Sequence, residues 1–254
     1  NAFNHKAPAW SHSKKTIAFH SNGGMVGGPE IFLMNLDGTD RRVVASLGAV
    51  GAQFPSFSPN GNELCFNSQT VPRDIYIVNV HGGGLTNLTN SPADDFRCAW
   101  SPKGDDILVS SRERKANSES YANSDIHVVT ADGSAPVRLT TNAASDANPA
   151  WSPDGERIAF ESNRHGNAEI YVMNADGTGE PVRLTFFAGL DTKPSWSPTG
   201  DRIAFHRQIV RTGETRGHLE VYTMNANGSD VTRITVTPRG FSGFPSWGKW
   251  SARP

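Results

Sequence analysis

Pro149-Ala150-Trp151-Ser152-Pro153-Asp154-Gly155 is the stretch that decides the fold, because it recurs along the chain. Fuller copies occupy residues 55–61, 98–104 and 194–200, and shorter copies occupy residues 8–11 and 245–248. The aromatic residue of each copy falls at Trp10, Phe57, Trp100, Trp151, Trp196 and Trp247. These positions are roughly 40–50 residues apart, which is the period of a β-propeller blade.

Each period reads as four short strands. Ser-Pro-x-Gly is a turn, since Pro presets φ and Gly tolerates the positive φ that follows. In the fourth period, the apolar runs Arg157–Phe160 and Glu169–Met173 come next, then the hairpin signal Asp176-Gly177 and the last strand Val182–Thr185. No segment keeps a helical period, so the sequence predicts an all-β protein.

The repeats set the predicted domain organisation. We expect one propeller domain over residues 1–254, with five complete four-stranded repeats and one extra inner strand. The predicted repeat bounds are about 8–46, 55–89, 98–140, 149–185 and 194–235, with a partial repeat at 245–250. Two closures remain open: a ring of five blades sealed by the last strand, or an incomplete six-bladed ring.

The order P-x-W-S-P-D-G, I-A-F and I-Y-V-M-N-A-D-G resembles the TolB-type repeat, a relative of the WD repeat, over almost the whole chain. The resemblance implies a propeller but leaves the function open. Proteins with such repeats include a periplasmic partner-binding protein, the gating propeller of prolyl-oligopeptidase-like enzymes and metal-dependent oligogalacturonate lyases. Fold alone does not select among them.

Composition and charge limit the classes of binding partner and the cellular compartment that we expect. With 24 basic and 25 acidic residues the chain has a formal charge of −1, which disfavours a nucleic-acid partner. No apolar run is long enough to span a bilayer, and the sequence shows no cationic start followed by an apolar stretch, so we expect no signal peptide within it. A start at Asn rather than Met suggests export, so we expect a periplasmic or secreted protein. Cys65 and Cys98 are interpreted as two buried thiols, with a disulfide as the alternative.

One column of side chains lies five residues before each repeated aromatic. Its members are His5, Ala52, Asp95, Asp146, Asp191 and Ser242. Three successive blades thus aim a carboxylate near the channel entrance, and Asp95, Asp146 and Asp191 are our candidate ligands for calcium. The alternative, which we prefer, is that each Asp caps its own loop.

A second column ends the second strand of each blade. Its members are His20, Asn67, Ser110, Glu161 and His206. If five blades close, His20 and His206 become neighbours, and imidazoles there suit a transition metal. Isolated polar histidines on a loop face are the preferred alternative.

Two long loops and nearby aromatic residues are further candidates for ligand contact. The loops run from Arg112 to Tyr121 and from Arg207 to Arg216, and beside them lie Phe186-Phe187 and Arg239-Gly240-Phe241. Arg and aromatic residues are common in binding hot spots. The predicted ligand-binding residues are therefore His20, Arg112, Tyr121, Glu161, Phe187, His206, Arg207, Arg239 and Phe241.

An acid starts the third strand of every blade, and we interpret this column as structural. The acids are Glu30, Asp74, Asp125, Glu169 and Glu220. We expect them to bond the Ser or Arg that follows the second strand, and the Ser of each Ser-Pro turn to form that turn.

Three functional hypotheses follow. The first is a noncatalytic propeller that recognises a protein, peptide or glycan through its loop face and channel mouth. The second is a secreted metal-assisted polysaccharide lyase or hydrolase that uses His20, His206, Arg207 and Glu161. The third is a propeller detached from a larger protein such as a peptidase. No GxSxG elbow, phosphate-binding loop or HExxH motif is present.

Overall fold

The computed structural model describes residues 5–11, 15–22, 27–115, 118, 120–134, 136–209 and 217–236. These residues form five antiparallel sheets of four consecutive strands each, which confirms the five predicted repeats. The one helical element among them is a short 3₁₀ turn, Gly48–Val50. Within the described part, no helix is both long and apolar enough to cross a membrane.

The strands of each blade follow one another in sequence order, from the channel outward. Blade 1 has β1 (His5–Ser11), β2 (Thr16–Ser21), β3 (Glu30–Asn35) and β4 (Arg42–Ala45). Blade 2 has β5 (Ala52–Phe57), β6 (Glu63–Ser68), β7 (Ile75–Asn79) and β8 (Thr86–Asn87). Blade 3 has β9 (Asp94–Trp100), β10 (Asp106–Arg112), β11 (Asp125–Thr130) and β12 (Val137–Arg138). Blade 4 has β13 (Asp146–Trp151), β14 (Arg157–His165), β15 (Asn167–Asn174) and β16 (Val182–Arg183). Blade 5 has β17 (Asp191–Trp196), β18 (Arg202–Ile209), β19 (His218–Asn225) and β20 (Thr232–Arg233).

The Ser-Pro-x-Gly turns form as predicted. In blade 4 the Gly155 amide donates to the Ser152 carbonyl (2.9 Å), and the Arg157 amide donates to Ser152 Oγ (2.9 Å). Gly155 has φ of +73°, and a Cβ there would lie 3.1 Å from Pro102 of the neighbouring turn. Glycine at this position therefore serves both the turn and the packing of adjacent blades.

The core lies between blades rather than within one sheet. Leu64 and Phe66 pack toward blade 1, whereas Cys65 between them packs toward blade 3. Leu108 and Phe160 belong to the interface of blades 3 and 4, and Phe205 to that of blades 4 and 5. Because the middle strands are covered on both faces, their central residues are apolar in succession instead of alternating with polar residues.

The blades are arranged around an axis through their inner strands. β1 packs on β5, β5 on β9, β9 on β13, and β13 on β17. No comparable packing joins β17 to β1 among the described residues. The predicted sixth inner strand at residues 245–250 lies outside the described residues, so the mode of closure stays a prediction.

The interpretation of Cys65 and Cys98 as two thiols is wrong, because they form a disulfide. Their Cα atoms are 6.3 Å apart, one on β6 and the other on β9. The sequence places both in apolar strands but does not show that adjacent blades bring these strands together. The bond therefore links blade 2 covalently to blade 3.

In blades 3, 4 and 5 the acids that start the third strands are structural, but their predicted partners were wrong. They pair with the fourth strand: Arg138 with Asp125 (2.7 Å), Arg183 with Glu169 (3.0 Å) and Arg233 with Glu220 (2.9 Å). A threonine two residues beyond each of these arginines also donates to the acid. The fourth strand is the outer neighbour of the third strand in each sheet, so its side chains lie beside these carboxylates.

Candidate functional site at the mouth of the axial channel

Every inner strand contains a bulge three residues before its repeated aromatic. The register of each inner pair shifts there. The bulged residues, all non-glycine with positive φ, are Ala7 (49°), Phe54 (58°), Arg97 (61°), Asn148 (52°) and Lys193 (54°). Such bulges re-aim side chains and are common beside functional sites. Here they turn one residue per blade toward the channel.

The bulge amides explain the column at the end of the second strands. Four of the five donate to the preceding blade: Phe54 to His20 Nδ1 (3.3 Å), Arg97 to Asn67 Oδ1 (3.3 Å), Asn148 to Ser110 Oγ (3.0 Å) and Lys193 to Glu161 Oε2 (2.9 Å). His20 and Glu161, predicted to contact a ligand, thus also hold adjacent blades together. A buried amide needs such an acceptor.

The channel is a cavity of about 600 Å³ lined by all five inner strands. Four of the repeated tryptophans, Trp10, Trp100, Trp151 and Trp196, contribute to its wall together with the prolines that flank them. Of the described residues that line it, only Arg97 and Lys193 carry formal charge. A volume of this size is typical of ligand pockets.

The charged groups at the mouth influence one another strongly. Burial lowers the pKa of Arg97 to about 10, while the nearby Glu161 carboxylate opposes this change. Burial and the Arg97 charge lower the pKa of Lys193. Burial likewise raises the pKa of Glu161, which accepts hydrogen bonds from the Lys193 amide and the Asn148 side chain. Two partly desolvated cations therefore share one buried carboxylate.

His20 adds no positive charge to this mouth at neutral pH. Its side chain is 3% exposed and lies edge-on to Phe54, with ring centroids 5.0 Å apart. Burial, together with the charges of Arg97 and Lys6, lowers the pKa of His20 to about 4. The guanidinium of Arg97 covers the same Phe54 ring, 3.4 Å from its centroid.

The predicted imidazole metal site does not form among the described residues. His206 is fully buried in blade 5, whereas His20 accepts a hydrogen bond from the Phe54 amide of blade 2. Blades 1 and 5 do not pack closely in the described part of the protein, so the structure does not bring the two histidines together there. No group of three His, Cys, Asp or Glu side chains among the described residues could hold a metal ion.

The three candidate calcium ligands have partners in their own loops and strands. Asp146 accepts from Asn142 (2.6 Å) and Arg164 (3.1 Å), and Asp191 accepts two hydrogen bonds from Arg207 (2.6 and 2.8 Å). Asp95 accepts from Ser91 (3.0 Å). The structure does not bring these carboxylates together. Side chains of the same blade hold each one, and for Asp146 and Asp191 these include a strand arginine, so loop capping stays a prediction.

The long-loop arginines are likewise held by acids and rings. Arg112 donates to Asp94 (2.7 Å) and lies 4.9 Å from the ring centroid of Tyr121, while Arg207 covers Phe187 at 4.3 Å. Sequence reasoning missed Asp94, which is paired with Arg112 across the β9–β10 ladder. Residues 210–216, 239 and 241 lie outside the described residues, so Arg239 and Phe241 remain predictions.

The bulge column is the main feature that the sequence analysis did not find. Its signal was present, because Arg97 and Lys193 stand three residues before Trp100 and Trp196. A bulge reverses the side-chain alternation of a strand, so counting by twos from the aromatic assigns these residues to the wrong face.

Comparisons with known proteins agree with this architecture. The model of the TolB beta propeller domain matches residues 5–122, and that of the Tricorn protease N-terminal beta propeller domain matches residues 120–208. A TolB homologue of Chlorobium luteolum is 31% identical over 165 residues, which are 65% of this chain and 35% of the homologue. The chain thus spans about a third of the length of that relative.

Two solved structures are similar over nearly the whole chain. TolB of Acinetobacter baumannii has a TM-score of 0.75 and 25% identity, covering 94% of this chain and 55% of that one. A TolB-like structure from Agrobacterium tumefaciens, described as putative, has a TM-score of 0.72 and 24% identity, covering 91% and 80%. From its repeats, its five blades and these matches, the protein is a β-propeller similar to those of TolB proteins.

Proposed function

We propose that this propeller is a noncatalytic binding module that recognises a protein partner at its loop face and channel mouth. The observation that carries the proposal is the open channel, in which five bulges turn Phe54, Arg97, Asn148 and their equivalents toward one cavity. Aromatic and arginine side chains on a rigid scaffold suit a binding surface. Similarity to TolB propellers supports a protein as the partner.

The proposed compartment is the periplasm or the outside of the cell. The Cys65–Cys98 disulfide supports it, because disulfides persist in oxidising compartments and are rare in a reducing cytosol. Oligosaccharide binding and metal-assisted cleavage remain predictions from the sequence. No contact between side chains among the described residues favours either of them.

Retention of a partner by the immobilised propeller tests the proposal. Cell-envelope extract of the source organism is passed over the wild-type protein and over Asn148→Phe, and retained proteins are quantified by mass spectrometry. Blade 2 already carries Phe54 at the equivalent bulge, so the fold should accept a second ring that narrows the mouth. The matched control is Asn90→Phe, an exposed position with φ of +37° away from the channel.

The wild type and Asn90→Phe should retain the same protein in a saturable manner, and Asn148→Phe should retain much less of it. No saturable protein partner for the wild type, or equal retention by all three, would contradict the proposal.

A further inference from the structure

The mouth of the axial channel has a marked charge asymmetry. Arg97 enters it from blade 3 and Lys193 from blade 5, and no carboxylate is among the described residues that line the cavity. The charge of Glu161 acts on both cations, and its carboxylate accepts a hydrogen bond from the Lys193 amide (2.9 Å). The described lining of the channel is therefore cationic, although the whole chain has a formal charge of −1.

The cations are positioned rather than freely mobile. The Arg97 guanidinium is stacked on Phe54 at 3.4 Å, and the backbone of both cations is fixed by bulge hydrogen bonds to Asn67 and Glu161. A preorganised cation loses little conformational entropy when it binds an anion. Partial burial also strengthens its attraction to an anion relative to an exposed lysine.

The wall beside the cations is apolar. Trp100 lines the channel below Arg97, and Trp196 lines it below Lys193, each three residues further along its strand. A ligand for this site thus needs an anionic end that reaches the two cations and a body that contacts indole and proline rings. A short segment of polypeptide that carries a carboxylate has this chemistry.

We propose that Arg97 and Lys193 form an anion-binding site that receives a carboxylate of the partner polypeptide in the channel mouth. This inference rests on the proposed function and specifies the chemistry of its partner. The carboxylate belongs either to an acidic residue of the partner or to its C-terminus. Both would accept charge-assisted hydrogen bonds from the guanidinium and the ammonium group.

Fluorescence anisotropy with three labelled pentapeptides tests the site. One probe is Gly-Gly-Glu-Glu-Glu with an amidated end, one is Gly-Gly-Gln-Gln-Gln with a free carboxylate, and the neutral reference is Gly-Gly-Gln-Gln-Gln with an amidated end. Binding of the first or second probe at least about tenfold more tightly than the reference identifies side-chain or C-terminal recognition, respectively. Equal binding of all three, or no binding of any, overturns the proposal.

Variants separate the channel cations from general surface charge. Arg97→Gln and Lys193→Gln should each weaken binding of the preferred probe at least about tenfold, whereas Lys193→Arg should restore most of the affinity. Lys103→Gln, which removes an exposed cation at a hairpin turn, should change it less than about twofold. Equal losses for the channel variants and Lys103→Gln, with every variant folded by circular dichroism, would contradict the assignment.

A measurement that uses no peptide guards against a wrong choice of probe. Iodide should quench the channel tryptophans more strongly than caesium in the wild type, and this preference should fall in the Arg97→Gln/Lys193→Gln double variant. No change in the iodide preference would also contradict a cationic channel. If a captured protein still binds this double variant with full affinity, the anion site is wrong while the binding function stands.

Discussion

At the scale of single residues, a buried carboxylate on the innermost strand of blade 3 holds two arginines. Asp94 is fully buried and accepts from Arg73 (2.7 Å) and Arg112 (2.7 Å). Burial alone would raise the pKa of Asp94, but the hydrogen bonds from these two arginines outweigh it and lower that pKa. The carboxylate thus fixes a loop-face arginine of blade 3 and contributes to stability when ionised.

Removal of this charge should destabilise the fold. Asp94→Asn leaves two arginines without their anion, and we expect a loss of about 2–4 kcal/mol in the free energy of unfolding, measured by urea denaturation. The control is Asp105→Asn at an exposed turn, which should cost less than about 0.5 kcal/mol. Similar losses for both variants would contradict the structural role of Asp94.

His20 should make the fold sensitive to mild acid. Its pKa is lowered from 6.5 to about 4 in the folded protein, so the unfolded state takes up a proton first as pH falls. Stability that is present above about pH 6.5 is therefore lost progressively toward about pH 4. His20→Asn, which copies the acceptor Asn67 of blade 2, should reduce this loss in urea denaturation between about pH 7 and pH 5.

The control for this pH dependence is His81→Asn, because His81 is exposed on a hairpin turn. It should keep the wild-type dependence of stability on pH. An identical slope for wild type and His20→Asn over the same range would show that His20 does not carry the effect.

At the scale of strands, the inner bulge determines both the packing of blades and the lining of the channel. The Asn148 amide reaches Ser110 of blade 3 only because the backbone adopts φ of +52° there. Short hairpins and apolar middle strands were predictable, since Asp-Gly turns and runs such as Ile158-Ala159-Phe160 act locally. The bulge, the Cys65–Cys98 bond and the partners of the third-strand acids depend on contacts that no local pattern encodes.

Backbone conformation at the bulge can be tested with one pair of variants. Asn148→Val and Asn148→Gly both remove the side-chain bond to Glu161, so their difference reports on the positive φ. A β-branched residue tolerates this region poorly, and we expect Asn148→Val to be less stable than Asn148→Gly by about 1–2 kcal/mol in urea denaturation. Equal stability would mean that the inner strand runs without this bulge.

At the scale of the whole molecule, packing between consecutive blades carries the fold. One apolar cluster lies at each interface between consecutive described blades, and the disulfide reinforces the interface of blades 2 and 3. The candidate site also depends on how the blades are arranged around the channel, because Arg97 and Lys193 belong to different blades. The sequence predicted the propeller, but it did not predict a cationic channel.

The disulfide should stabilise the intact domain substantially. It closes a loop with a sequence separation of 33, and the chain-entropy model gives about 3–4 kcal/mol for a loop of this length. Reductant should lower the melting temperature of the wild type but not that of Cys65→Ala/Cys98→Ala, since the protein has 2 cysteines. Two thiols reacting with maleimide in unreduced, unfolded protein would contradict the bond.

Site-specific photo-crosslinking tests most directly whether the channel mouth is the binding surface. A photoreactive phenylalanine analogue is placed at Phe54, beside Arg97 in the channel, or at Leu85, which is 45% exposed on the outer side of blade 2. Irradiation in cell-envelope extract should attach the partner protein at position 54 and not at position 85. Attachment at position 85 alone, or equally at both positions, would contradict the account.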